Sequence, residues 1–110
     1  LAVAFKRAHN ITKDVARSEV SPALLEPGAE QALAEAWRGA RALIATATAE
    51  GRYQDALAVV ATDLRGPIDS FFETVFVMVE DEALRQNRLG LLAEIADTVS
   101  RVAHFHALST

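Results

Sequence analysis

Apolar residues recur three or four positions apart through most of the chain, the spacing of one face of a helix. From about residue 82 to 108, Leu84, Arg88, Leu91, Ile95, Val99 and Val102 form one stripe. Leu33, Trp37, Ala40, Ile44 and Ala47 form another over residues 29–49, which Gly51 closes. Tyr53, Leu57, Val60 and Leu64 mark a shorter helix from residue 52 to about 63. Arg65-Gly66-Pro67 reads as a break, with Pro67 suited to a first helical turn. Ile68, Phe72, Val75, Phe76 and Val79 line the next predicted helix. Residues 2–10 read as helix, the end of a longer one. Between residues 12 and 28 the pattern loosens, punctuated by Ser21-Pro22 and Glu26-Pro27-Gly28. Ser21 is expected to cap a short turn led by Pro22, and Asp81 to cap the last helix. Short connections between Gly51 and Glu82 predict antiparallel neighbours. The β-branched residues follow helical spacing, not alternation, so the expected fold is all-α, an antiparallel bundle of about four to five helices.

One residue breaks the last stripe. Arg88 falls at its centre, where an unpaired charge is costly, so it must snorkel out or meet a carboxylate. It therefore has two readings. In one it is a structural ion pair that fixes helix register, with Asp69 on the preceding helix as the first choice of partner. In the other its guanidinium meets nucleic acid, where its planar fork suits a phosphate or base edge. Arg85 is expected to be more exposed than Arg88 and is the better ligand candidate. Asn87 falls on the other side, where solvent is expected.

With 110 residues the chain can build one core, not two. At 51% hydrophobic it is no disordered tail. The absence of cysteine removes disulfide frameworks and thiolate metal sites and fits a cytosolic setting. No apolar run reaches the roughly 20 residues of a membrane span. The longest, Val75-Phe76-Val77-Met78-Val79, is at most a buried-helix segment. No signal peptide is legible. A net charge of -4 argues against strong sequence-independent nucleic-acid binding. The charge is uneven, however. Lys6, Arg7, Lys13 and Arg17 oppose Asp14 at the amino end, while Asp55, Asp63, Asp69, Glu73, Glu80 and Asp81 make the middle acidic. A local basic surface is compatible with that distribution.

Catalytic chemistry finds no support. His104 and His106 are two residues apart, on different sides of a helix. No HExxH arrangement, nucleophile elbow or glycine-rich phosphate loop occurs. His106 projects onto the apolar stripe and is expected to take a backbone, carboxylate or water partner. No catalytic residue, metal ligand or cofactor site is therefore expected in this segment. Lys6, Arg7, Asn10 and Lys13 could line an RNA groove or simply form a solvated basic end. Trp37, Phe71 and Phe72 fit core packing better than base stacking, with Trp37 filling the gap between helices.

Two stretches carry a resemblance. Arg65-Gly66-Pro67-Ile68-Asp69-Ser70-Phe71-Phe72-Glu73-Thr74-Val75-Phe76-Val77-Met78 and Asp81-Glu82-Ala83-Leu84-Arg85-Gln86-Asn87-Arg88-Leu89-Gly90-Leu91-Leu92 strongly resemble the carboxyl end of the beta subunit of bacterial heterotetrameric glycyl-tRNA synthetases. Phe5-Lys6-Arg7-Ala8-His9-Asn10-Ile11 and Arg101-Val102-Ala103-His104-Phe105 match further motifs of that family. The chain departs from the family at His104, often an aspartate there, and at Val79, often a small residue. The resemblance implies that residues 1–110 are a single helical anticodon-binding-type domain, of the arginyl-tRNA synthetase type, cut from a longer chain. It implies a recognition module of a cytoplasmic enzyme that joins glycine to tRNA-Gly with ATP and Mg2+. Its partners would be tRNA-Gly, the rest of the beta subunit, and the alpha subunit that carries the aminoacylation site in the heterotetramer, with no membrane. The motif match makes Arg7, Asn10, Arg85, Asn87 and Arg88 family positions; with Lys6 and Lys13 added from the basic amino end, the RNA-binding candidates are Lys6, Arg7, Asn10, Lys13, Arg85 and Asn87. The alternative is a non-catalytic packing module whose alanine-rich helix docks another domain or subunit.

Overall fold

The computed structural model describes residues 3–15, 20–75 and 77–109. Arg17 and Phe76 of the preceding analysis lie outside these. All regular structure among the described residues is helical. Helix α1 spans Val3–Ile11, and a 3-10 turn follows at Pro22–Leu24. Helix α2 spans Ala29–Ala49, α3 Tyr53–Val59, α4 Arg65–Thr74 and α5 Glu82–Ser109. A π-helical segment, Val60–Leu64, joins α3 to α4. None of these helices is long and apolar enough to cross a membrane.

Two ends follow from local chemistry. Gly51 adopts φ +75°, left-handed backbone that favours glycine. Its N–H donates to Thr48 O at 3.0 Å, and that of Arg52 to Ala47 O at 2.8 Å. These paired bonds satisfy the last carbonyls of α2 and stop it. At the start of α5, Asp81 Oδ1 accepts from Leu84 N at 3.1 Å, the expected cap. Ser21 precedes the 3-10 turn with Pro22 first, but its hydroxyl makes no capping bond.

Helix α2 packs on α3, α4 and α5, and α1 packs on α4 and α5. Helix α5 sets the long dimension: at about 1.5 Å per residue its length is about 42 Å, against a longest axis of 44 Å. Leu33, Trp37, Ala40, Ile44 and Ala47 are all buried, as are Leu91, Ile95, Val99 and Val102, so both long stripes meet in the core. Ala4, Phe5 and Ala8 close it from α1.

Two expectations in the middle of the chain are corrected. Arg65-Gly66-Pro67 does not break the chain; the backbone stays helical from Tyr53 to Thr74. Proline lacks an N–H and its ring crowds the carbonyl four residues back. The wider turn over Val60–Leu64 accommodates both by shifting the bonding pattern just before it. The predicted helix through Val79 instead ends at Thr74, and Val75 is extended (φ -106°, ψ 126°). Val75, Val77 and Val79 lose side-chain freedom in a helix, so the run leaves it and dips Val77 into the core. Phe71 rather than Phe72 becomes the fully buried ring, with Phe72 against its edge at 5.7 Å.

Candidate nucleic-acid interface

Residues 87–93 of α5 are buried on every side, because the connector before α2 lies across them. Asn87, Arg88, Leu89, Gly90, Leu91, Leu92 and Ala93 are all buried in succession. Arg88 Nε donates to Glu30 Oε1 at 2.7 Å, and Nη2 lies 3.3 Å from Glu26 Oε1. The Arg88 and Glu30 side chains are only 6% and 1% exposed, so this is a core ion pair. Asp69 is not the partner; it is exposed on α4. The reason is geometric. Glu30 lies one turn before Leu33 on the α2 stripe, facing the α5 stripe directly. It is the second residue of α2, where the helix dipole favours a carboxylate. The signal was present in the sequence: a charge interrupts each of two apolar stripes, and the charges are opposite.

Asn87 is also corrected. It is buried, not solvated, and clamps the connector through both ends of its amide. Ser21 N donates to Asn87 Oδ1 at 2.6 Å, and Asn87 Nδ2 donates to Ser21 O at 3.2 Å. Together Asn87 and Arg88 tie residues 21–30 to α5. Arg85 is half-buried, and its Nη1 donates to Val79 O at 3.1 Å. It thereby holds the connector between α4 and α5. Arg85→Ala is expected to lower global stability by only about 1 kcal/mol while speeding amide exchange across residues 77–81. Exchange there unchanged from wild type would remove this role.

Lys6, Arg7, Asn10 and Lys13 are all exposed. Lys6, Arg7 and Asn10 line one shallow cleft on α1. Lys13 and His9 line a second, against Asp97 and Ser100 of α5. The Arg7 guanidinium sits 4.5 Å from the Phe72 ring centre, a cation–π contact that props it outward from α4. Arg85 and Asn87 line neither cleft, so the structure splits the six candidates into four on an open basic surface and two at connectors. Asp55, Asp63, Asp69 and Glu73 are exposed on α3, the π segment and α4. Hydrogen bonds to Glu50 and then Asp55 raise the Arg52 pKa above that of an ordinary arginine, leaving a cation already committed to carboxylates. His104 is exposed, and His106 is half-buried and partnered.

Sequence comparison agrees with this architecture. Residues 1–105 match the DALR anticodon binding domain family. A glycine–tRNA ligase beta subunit of Geobacter metallireducens is 45% identical over 105 residues, 96% of this chain and 15% of that protein. One of Syntrophus aciditrophicus is 42% identical over 110 residues, covering 100% of this chain and 16% of the relative. One of Neisseria gonorrhoeae is 43% identical over 105 residues, 94% of this chain and 82% of the relative. The chain thus spans about 15% of the length of the Geobacter relative. The all-helical bundle, with the family match over nearly its whole length and relatives of one kind, shows that the chain belongs to the DALR anticodon binding domain family.

Proposed function

We propose that this chain is the tRNA-recognition module of a glycine–tRNA ligase, touching the anticodon region of tRNA-Gly while aminoacylation proceeds in the partner alpha subunit. The observation that carries this reading is the anticodon-binding family match over residues 1–105. The charge layout supports it. Lys6, Arg7 and Lys13 are all exposed on and just after α1, so a phosphate backbone can approach them despite the net charge of -4. Lys6, Arg7 and Lys13 supply positioning contacts, and Asn10 a donor and acceptor for a sugar or base edge. Arg85 and Asn87 act indirectly, by holding the connectors. No group of three His, Asp or Glu side chains among the described residues could hold a metal ion. In this reading the ATP and Mg2+ of a cytoplasmic synthetase act in other domains.

A few cations give weak, salt-dependent binding. Titration with tRNA-Gly is expected to show affinity that falls several-fold between about 50 and 200 mM salt, with weaker binding of a non-cognate tRNA. Lys6→Gln with Arg7→Gln is expected to flatten that salt dependence, with only the small fall in melting temperature that loss of the Arg7–Phe72 contact brings. Equal affinity for both tRNAs, or none at low salt, defeats the reading.

A second reading rests on the outer face of α2. Leu43 is 54% exposed there beside Ala32, Ala36 and Gly39, a smooth strip suited to packing against the rest of a beta subunit or its partner subunit. Leu43→Glu disturbs docking and not tRNA affinity if this reading is right.

A further inference from the structure

A groove of about 540 Å³ runs between the carboxyl half of α2 and residues 94–105 of α5. That volume lies in the roughly 300–1,000 Å³ range of small-ligand sites. Its floor is apolar, formed by Ile44, Ala45 and Val102, and Arg41 and Arg101 stand along it. Toward the amino end of α2 it continues into a cleft that shares Arg41 and Glu94 and adds Arg38. The seam is thus lined by Arg38, Arg41 and Arg101, with Glu94 beside Arg41 and Asp97 beside Arg101.

Glu94 is already engaged. The Trp37 indole Nε1–H donates to its Oε1 at 3.1 Å, and Arg41 Nη1 to the same oxygen at 2.5 Å. Arg101 pairs with Asp97 at 3.3 Å, but the side chains are 65% and 42% exposed, and such an open pair yields readily to a stronger anion. Arg38 is exposed and makes no ion pair among the described residues. At the far end lies Phe105, 43% exposed. Its ring stacks on Tyr53 with centres 5.7 Å apart and planes 24° apart. Tyr53 thus fixes the orientation of Phe105, while solvent reaches much of the ring. An exposed, oriented aromatic beside a row of cations is the arrangement that takes an unpaired base by its face and its phosphates by charge.

We propose that the α2–α5 seam binds a short unpaired stretch of RNA, with Phe105 as the stacking platform for one base and Arg38, Arg41 and Arg101 as phosphate contacts along it. This rests on the reading of the chain as a tRNA-recognition module and adds a second contact surface to the α1 face. Stacking makes the subsite tolerant of base identity, because every base has a π-face.

The test is titration of tRNA-Gly into wild-type chain, Phe105→Leu, and a double Arg38→Gln, Arg101→Gln variant, each with a thermal melt. Leucine keeps an apolar group against Tyr53 and removes the ring, which makes it safer for the fold than alanine. Phe105→Leu is expected to weaken binding about tenfold with its melt preserved. The double variant is expected to lower the slope of log affinity against log salt by about 1.5. Wild-type binding with both variants unchanged overturns the seam and leaves the tRNA reading standing. No binding by wild type at any salt overturns both. If Phe105→Leu shifts the melt, the arginine variant decides alone: a reduced salt slope supports the seam, and an unchanged slope overturns it.

Discussion

Arg88→Ala is expected to remove about 3–5 kcal/mol of unfolding free energy, the cost of stripping one partner from a buried ion pair. The substitution leaves the Glu30 carboxylate, 1% exposed, without its 2.7 Å donor. One of its oxygens, Oε2, already has no hydrogen-bond partner among the described residues, so little is in place to absorb the loss. The apolar stem of Arg88 also leaves the interface among Leu84, Leu91 and Ile95. Glu30→Ala is expected to cost a comparable amount by the converse route. Replacing both, as Arg88→Met with Glu30→Leu, is expected to recover most of the loss, because well-packed apolar pairs match or exceed buried ion pairs in stability. Denaturant melts of the two single variants and the double measure that recovery. A double variant as unstable as the sum of the singles would mean that removing both charges relieves nothing, and would overturn the buried-pair account. If Arg88→Ala keeps its stability and loses tRNA binding, Arg88 is itself an RNA ligand and the structural role is wrong.

Trp37→Ala is expected to cost about 3–5 kcal/mol, the range for deleting a buried aromatic ring. Trp37 is 3% exposed and is the largest side chain of an alanine-rich helix, so its deletion leaves a cavity that a close-packed core fills only in part. Trp37→Phe separates two contributions. It keeps much of the ring volume but removes the Nε1–H bond to Glu94, and is expected to cost about 1–2 kcal/mol. Glu94 then keeps only Arg41 of the two donors described here. Urea melts rank the three proteins, wild type first and Trp37→Ala last. Equal stability of Trp37→Phe and wild type would mean that the indole bond is exchanged for water without loss.

The two long helices were legible because their signals are local and repeated. The five apolar residues read on α2 are all buried, and α2 begins and ends where the stripe and Gly51 place it. Asp81 was legible as a cap for the same reason: it bonds to an amide three residues away. The middle of the chain was less legible. Pro67 and a valine-rich run each carry a strong local preference, and neither reveals whether a π turn precedes the proline or whether the run bends inward. The candidate surface was legible by residue type, since Lys6, Arg7, Asn10 and Lys13 are exposed as their polarity and helical spacing suggest.

The sequence by itself determined that this chain is helical, where its two longest helices lie, and that Arg88 needs a partner. Each conclusion depends on residues within a few turns of one another, where the chain's own geometry sets the distances. The tertiary structure alone decided which carboxylate answers Arg88, that Asn87 holds the Ser21 backbone 66 residues away, and that Arg85 grips a connector. It also brought Arg38, Arg41 and Arg101 onto one seam beside Phe105. Apart from the Arg85 bond, these contacts join groups far apart along the chain, and their pairing depends on how α2 and α5 cross. That crossing is set by the packing of both apolar stripes together, and neither stripe specifies it alone.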